Sequence, residues 1–389
     1  MKSSRVRATA AIGSLATLLS ACGGDVSLGG KGSQANGAAG AAQTPDQIQP
    51  VGERVLERSD LRLSELIATG DYLYFVGQVP PYYGIFRCRK ADCEATFGLF
   101  LGKDNVAYIQ AFGDRLGFRR LEYASYGFAS VAFSDAKDER VVIRGLPGDT
   151  SLPPLFHDDF MFFSVANDRS LYRCSLPACA DNPERLAGAK LPTHFTPRAF
   201  GDLLIWSDGP FIYRVAGYGT EPAMVLLPDD SLSEAPATVL SSEDPEADLV
   251  TAIDADNGVL YASIQRSRAC EPDCPYDLVA WPVLGGAARH LFTSERRLSN
   301  LRAFDNELVW TSQTAEQRGY ATATVSTCRI EACDATRRDL GESSGELSVS
   351  ADEQHIYWIH LELTTESLSK DTSFFQPNQI RRAPRLPAP

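Results

Sequence analysis

The chain has 389 residues, of which 44% are hydrophobic and 10% aromatic, enough to bury a sizeable core. It carries 37 basic against 50 acidic side chains and a net charge of −13. A chain with this net negative charge does not have the basic surface that binding to nucleic-acid phosphates requires, so we expect no nucleic-acid partner.

The N-terminus has the pattern of an export signal. Basic residues at positions 2, 5 and 7 precede a small and apolar run from Ala8 to Ala21, too short to span a bilayer. The run ends in Leu19-Ser20-Ala21-Cys22, which resembles the bacterial lipobox, where the cysteine is acylated and becomes the new N-terminus. We predict a lipoprotein signal peptide over residues 1–21 and lipidation of Cys22. The alternative is an ordinary secretory signal in which this cysteine occurs by chance.

Residues 22–50 comprise the predicted lipidated cysteine and a linker. Gly, Ala and Ser dominate this segment, which contains no aromatic residue and cannot bury enough surface to fold. Several acyl chains on one residue give stable membrane attachment. Gly23-Gly24 follow the cysteine, and by resemblance to enterobacterial sorting the lack of aspartate there favours the outer membrane. We therefore expect a protein of the cell envelope, on the periplasmic or the surface face.

From residue 51 onwards, a tight turn followed by a strand that ends on an aromatic residue occurs seven times. Gly70-Asp71 leads to Phe75, and the pattern returns every 43 to 55 residues. Seven copies of a unit of this length predict an all-β, seven-bladed β-propeller over residues 51–389. One large aromatic per repeat suits the gap between neighbouring blades, so we interpret these residues as packing positions. They are Phe75, Phe118, Phe163, Trp206, Tyr261, Trp310 and Trp358.

The cysteines agree with export. There are nine, and if Cys22 carries lipid the other eight form four local pairs. Close, even pairing in an exported protein indicates disulfides; a metal site would need two pairs brought together or nearby histidines. The phrase Ile85-Phe86-Arg87-Cys88 recurs at Leu171-Tyr172-Arg173-Cys174, which places three pairs at the turn between the third and fourth strands of a blade. The fourth pair precedes the third strand of blade five. The pairs are Cys88/Cys93, Cys174/Cys179, Cys270/Cys274 and Cys328/Cys333.

The last repeat lacks a fourth strand. After Arg382 the chain contains three prolines in seven residues, which cannot pair as a strand. Residues 52–58 precede blade one and contain Val55-Leu56, which resembles the fourth-strand phrase Val141-Val142-Ile143 of blade two. We predict that this N-terminal segment supplies the outermost strand of blade seven and closes the ring.

No stretch of the sequence has the spacing of a known catalytic or cofactor-binding motif, so we assign no catalytic, metal or cofactor-binding residue. Asp254-Ala255-Asp256-Asn257-Gly258 approaches a calcium loop, but the glycine comes one position early and the pattern fits a turn better. Glu243-Asp244-Pro245-Glu246-Ala247-Asp248 lies in the longest insertion and is interpreted as a solvated acidic run. The histidines at 157, 194, 290, 355 and 360 do not have metal-ligand spacing.

Overall, residues 51–389 resemble bacterial lipoproteins with propeller repeats of the type Asp-x-x-hydrophobic-Tyr/Trp and Cys-x4-Cys turns. The resemblance implies the fold and no activity, because propellers include both enzymes and binding modules. The first hypothesis is a monomeric, non-catalytic binding or scaffolding module with a protein or carbohydrate partner on one face. The second is a hydrolase or lyase acting on polysaccharide or cell-wall-derived substrate in the central channel. The third is a metal-binding sensor.

Overall fold

The computed structural model describes residues 52–122, 125–146, 153–165, 170–177, 179, 183–190, 197–208, 211–219, 224–226, 232–234, 249–266, 274–284, 286–313, 323–343, 349–360 and 379–387. The predicted signal peptide, Cys22 and the linker therefore lie outside the described residues. No helix in the described part of the chain is long and apolar enough to cross a membrane.

The described chain forms seven antiparallel sheets, each consecutive in sequence except the last. Blade one contains β2 to β5, blade two β6 to β9 and blade three β10 to β13. Their bounds are β2 (Arg62–Thr69), β3 (Tyr72–Val79), β4 (Tyr82–Arg89), β5 (Gly98–Gly102), β6 (Val106–Phe112), β7 (Arg115–Glu122), β8 (Ser125–Ala132), β9 (Glu139–Leu146), β10 (Leu155–His157), β11 (Phe160–Val165), β12 (Ser170–Ser175) and β13 (Glu184–Lys190).

Blade four has five strands, β14 to β18, one more than the sequence predicted. Blades five and six have four each, and blade seven contributes three strands from the C-terminal part of the chain. Their bounds are β14 (Arg198–Phe200), β15 (Leu203–Asp208), β16 (Phe211–Val215), β17 (Met224–Leu226), β18 (Leu232–Glu234), β19 (Leu249–Asp256), β20 (Val259–Gln265), β21 (Tyr276–Pro282), β22 (Arg289–Ser294), β23 (Leu298–Phe304), β24 (Glu307–Gln313), β25 (Ala323–Arg329), β26 (Arg338–Ser343), β27 (Val349–Ala351), β28 (His355–His360) and β29 (Gln379–Pro384).

The ring is closed by the N-terminal strand β1 (Glu53–Glu57), as predicted. It pairs antiparallel with β29 and completes the four-stranded sheet of blade seven. Leu56 is fully buried there, and Arg382 of β29 holds Glu53 by two hydrogen bonds of 2.8 Å. The first strands of neighbouring blades contact one another, so they line the centre of the ring. The predicted seven-bladed propeller is confirmed.

Every blade has the same tight turn between its first and second strands. In six blades the first turn residue has a φ between 48° and 55°, which explains why Gly, Asn and Asp occupy this position. The carbonyl of the second turn residue (the third, Gln354, in blade seven) accepts an N–H from the residue directly after the third strand, or in blade four from Tyr218, three residues after β16. The seven bonds join Lys90 to Asp71, Phe133 to Asp114, Leu176 to Asp159, Tyr218 to Asp202, Val283 to Gly258, Ile330 to Asn306, and Arg385 to Gln354.

The seven aromatic residues are buried, and six of them face the preceding blade. Phe118, for example, packs with Tyr74 and Val76 of blade one, and Trp310 packs with Phe292 of blade five. These six fill the space between blades, as large side chains at a repeated position should.

Tyr261 is the exception and corrects the sequence interpretation. It packs with Leu298 and Leu301 of the following blade, whereas its neighbour Ala262 packs with Ile205 of the preceding one. Because alternate residues of a strand point to opposite faces, a shift of one residue reverses the side chain. Ala262 therefore stands at the aromatic position of blade five, and burial raises the pKa of Tyr261 to about 12.

Three of the predicted disulfides are present, each between the third and fourth strands of its blade. The Cα–Cα distances are 4.7 Å for Cys88–Cys93, 4.9 Å for Cys174–Cys179 and 4.8 Å for Cys328–Cys333. Cys274 is buried and also disulfide-bonded. It precedes β21, as predicted, and its predicted partner Cys270 lies outside the described residues.

The repeated arginine of the third strand joins one blade to the next. Its guanidinium donates to a main-chain carbonyl within three residues of the end of the third strand of the following blade. The residue that provides this carbonyl also donates its own N–H to the first turn of its blade. The same residue therefore links the turn of its blade to the arginine of the preceding blade. The four bonds run from Arg87 to Phe133, Arg173 to Tyr218, Arg214 to Val283 and Arg382 to Lys90.

Candidate functional site

One position of the first strand, the third residue before the turn in six blades, forms an inner layer around the ring. In each blade it pairs with the second-strand residue that precedes the aromatic position, so the seven residues are equivalent by register. The inner layer consists of Ile67, Gln110, Leu155, Arg198, Asp254, Arg302 and Ser350. Five of these seven side chains are polar, which makes the layer the best candidate site in the described part of the chain.

Three polar members of the inner layer bind the next blade in the same way. Each accepts the main-chain N–H of the residue that follows the next inner-layer residue, at 2.8 to 3.0 Å. Gln110 also donates its amide to the carbonyl of the same partner, at 2.9 Å. These side chains replace the hydrogen bonds that separate sheets cannot make with each other. The acceptor and donor pairs are Gln110 with Phe156, Asp254 with Ala303, and Ser350 with Ala68.

The inner layer is charged in blades four to six. Arg198 Nε lies 2.9 Å from Asp254 Oδ1, and the two side chains are only 18% and 12% exposed. That N–H is not aligned for a hydrogen bond, so the attraction is chiefly Coulombic. Burial, followed by the positive charge of Arg302, lowers the pKa of Arg198 to about 10, and Asp254 opposes this shift. Arg198 thus has one carboxylate partner and a second guanidinium group near it, so the three side chains together carry a surplus positive charge.

The first-strand residue next to the turn is polar in blades one, three and five, where it is Thr69, His157 and Asp256. Burial and the negative charge of Asp305 raise the pKa of Asp256, the last residue of β19. In blade three the equivalent residue is His157, whose ring nitrogen lies 2.6 Å from the carbonyl oxygen of Gly201 in blade four. Asp305 itself is 3.3 Å from Arg385.

Blades two and three have an apolar seam instead. An alanine follows the inner-layer residue in every blade except the third, where Phe156 occupies the position. Its ring stacks on Phe112 with 4.8 Å between centroids. A Cβ atom added to Gly117 of blade two would lie 2.4 Å from Phe156, so glycine is required there. The ring of Phe156 fills the space that a side chain at position 117 would need.

The histidines and acidic segments that were not assigned as metal ligands from the sequence do not come together in the structure. His157, His290, His355 and His360 lie in blades three, five and seven, and His194 lies outside the described residues. The acidic run 243–248 also lies outside them. Asp254 bonds blade six and Arg198, not a turn of its own. Within the described ranges, no three His, Cys, Asp or Glu side chains are close enough to hold a metal ion.

Sequence reasoning missed the inner layer because the first strands are irregular. β2, β6, β19 and β23 each contain a break in register, so simple alternation does not show which residue faces the next blade. One signal was available: an alanine two residues before the turn in five of the seven repeats, and directly before the turn in the seventh. The residue before that alanine is the inner-layer position.

Comparison with known proteins gives the fold and no family. No family model matches the chain, and no curated protein matches it. Among solved structures it is similar to a prolyl endopeptidase at 15% identity and TM-score 0.51, over 80% of this chain but 46% of that one. It is also similar to the propeller domain of the Trilobed protease from Pyrococcus furiosus, at 10% identity, TM-score 0.51, and 79% and 93% coverage. A third is YCF48 bound to D1 peptide, at 9% identity, TM-score 0.50, and 87% and 96% coverage.

Proposed function

We propose that this protein is a lipid-anchored β-propeller of the bacterial cell envelope that binds a protein or carbohydrate partner without transforming it. The lipobox at Leu19-Ser20-Ala21-Cys22 and the Gly-rich segment after it support the anchor. Disulfides at the turns after β4, β12 and β25 support an oxidising compartment.

The observation that carries the binding role is the unequal length of the connections at the two ends of the blades. The turns between first and second strands are only two or three residues long in every blade. At the other end, the second and third strands are separated by 266–275 in blade five, 314–322 in blade six and 361–378 in blade seven. The 235–248 connection between blades four and five begins at the opposite end, after the fifth strand β18, and leads to the start of β19 at this end. Long connections on one face of a rigid scaffold are where recognition is usually located.

The similarity to YCF48, a propeller determined with a bound peptide, supports a partner-binding role as a fold-level analogy. The enzyme hypothesis has its own support. Arg198, Asp254 and Arg302 lie on neighbouring inner strands, and one of the solved structures of similar fold is a prolyl endopeptidase, 46% of which this chain covers. A hydrolase or lyase acting in the central channel is therefore the second candidate.

Membrane fractionation tests the anchor. The full chain and its Cys22→Ser variant would be expressed in a bacterial host, with mass spectrometry of the mature N-terminus. We expect the wild-type protein in the membrane fraction with an acylated Cys22, and the variant in the soluble fraction or as unprocessed precursor. An unmodified Cys22 in a correctly processed chain would refute the anchor.

Co-sedimentation tests the binding role against the enzymatic one. The mature protein would be incubated with purified peptidoglycan sacculi and, separately, with acidic polysaccharide. Retention without release of soluble fragments supports a binding module. Fragment release that increases with time would support the hydrolase or lyase instead. A variant in which 361–378 is replaced by a short turn should bind less, while keeping the melting temperature of the parent.

A further inference from the structure

The charged sector of the inner layer contains more hydrogen-bond donors than acceptors. Both oxygens of Asp254 are already engaged, Oδ1 with Arg198 at 2.9 Å and Oδ2 with the N–H of Ala303 at 2.8 Å. Arg302 has no ion pair or hydrogen bond with its side chain among the described residues, and it is partly exposed. A guanidinium with five N–H groups and no acceptor among the described residues, near a second guanidinium, is suited to an anionic ligand.

The strand that carries Arg302 has a second unsatisfied donor. β23 breaks register between Ser299 and Arg302, and Asn300 within this bulge has a φ of 52°. The amide nitrogen of Asn300 is buried without a hydrogen-bond partner in the described part of the chain. Bulges with unusual backbone angles are frequent beside binding sites, where they redirect side chains. The strand therefore combines strain, an unpaired amide and an unpaired guanidinium.

We propose that Arg302 and Arg198 bind a small oxyanion, a carboxylate or phosphate group, at the inner strands of blades four to six. Arginine suits this ligand because its planar fork donates two parallel hydrogen bonds. Two of the neighbouring carboxylates are offset by cations, because Asp254 pairs with Arg198 and Asp305 lies 3.3 Å from Arg385. The third, Asp256, has a pKa raised by burial and by Asp305, which favours its neutral form. This inference rests on the proposed binding role and gives the chemistry of one contact with the partner.

Thermal denaturation of the mature protein with citrate or inorganic phosphate, at ionic strength held constant with sodium chloride, tests the site. We expect either anion to raise the melting temperature of the wild-type protein by about 2 °C or more when present well above its Kd. Citrate alone would identify a carboxylate site, phosphate alone a phosphate site, and a response to both a general oxyanion site. No response to either anion overturns the proposal and leaves the sacculus-binding test unaffected.

Three variants assign the effect to the site. Arg302→Gln should abolish the anion response and should raise the melting temperature without anion, because it removes the repulsion on Arg198. A purely structural arginine would give the opposite sign, a lower melting temperature.

Arg302→Lys, which keeps the charge but not the fork, should retain a response with affinity weakened about tenfold. Arg297→Gln, an exposed arginine in the connection before β23, is the matched control and should respond like wild type. An unchanged response in Arg302→Gln overturns the proposal.

Discussion

The inner layer is built differently in two halves of the ring. In blades one to three it comprises Ile67, Gln110 and Leu155, and the adjacent seam is filled by Phe156 against Gly117. In blades four to six it comprises Arg198, Asp254 and Arg302. The register position is the same in both halves, so the propeller does not need charge there. We interpret the inner layer of blades one to three, the uncharged half, as stabilising the ring. The inner layer of blades four to six, the charged half, is available for recognition.

The largest expected effect concerns the apolar seam between blades two and three. Phe156→Ala should lower the free energy of unfolding by about 3–5 kcal/mol, because it leaves a cavity among Phe112, Phe128 and Met161. Urea denaturation followed by tryptophan fluorescence measures it. A loss under about 1 kcal/mol would show that this seam is not tightly packed.

A second substitution tests whether Phe156 and Gly117 compensate each other. Gly117→Ala alone should cost about 1–3 kcal/mol, because the new Cβ meets the ring of Phe156 at 2.4 Å. In the Phe156→Ala background the same change should be nearly neutral. Additive losses in the double mutant would refute the direct contact.

The next effect concerns the charged half. Asp254→Asn should destabilise the fold by about 2–3 kcal/mol, since it leaves the buried Arg198 without its carboxylate and still next to the positive charge of Arg302. Adding Arg302→Gln should recover part of that loss, because one of the two positive charges is removed. If the double variant is as unstable as Asp254→Asn alone, the two arginines do not repel each other as inferred.

A smaller effect separates hydrogen bonding from packing at the inner layer. Gln110→Leu keeps the size of the side chain but leaves the N–H and the carbonyl of Phe156 unpaired, which should cost about 1–2 kcal/mol. Gln354→Leu is the matched control, because Gln354 is exposed and hydrogen-bonded only through its main chain. Equal losses in both variants would contradict the role of the Gln110 amide.

Much of the fold was predictable because it repeats. The turn phrase gave the number of blades, and the missing fourth strand of blade seven indicated that residues 52–58 close the ring; β1 confirms this. The misassignment of Tyr261 has a simple origin, since it follows the first turn residue by four positions, whereas Phe75 and Trp206 follow theirs by five. The aromatic pattern selects Tyr261, one position before the equivalent residue Ala262. Because alternate strand residues point to opposite faces, Tyr261 faces the following blade and not the preceding one.

The candidate site was less predictable, for two physical reasons. The bulges in β19 and β23 break the alternation by which inward residues are recognised. The pairing of Arg198 with Asp254 also depends on how two separate sheets align, which the spacing along one strand does not contain. Only the alanine that follows the inner-layer residue marks it in the sequence.

The smallest effect is a pH dependence confined to the charged half. Burial and Asp305 raise the pKa of Asp256, so its charged form destabilises the folded state. This carboxyl is least unfavourable below its unfolded pKa of about 3.9, and stability is lost as pH rises through the raised folded value. Asp256→Asn should remove that loss and stabilise the protein at neutral pH, by less than about 1 kcal/mol because the group is partly exposed. Urea denaturation of both proteins at acidic and neutral pH measures the difference. A gain that is the same at both pH values would show that Asp256 acts by packing and not by charge.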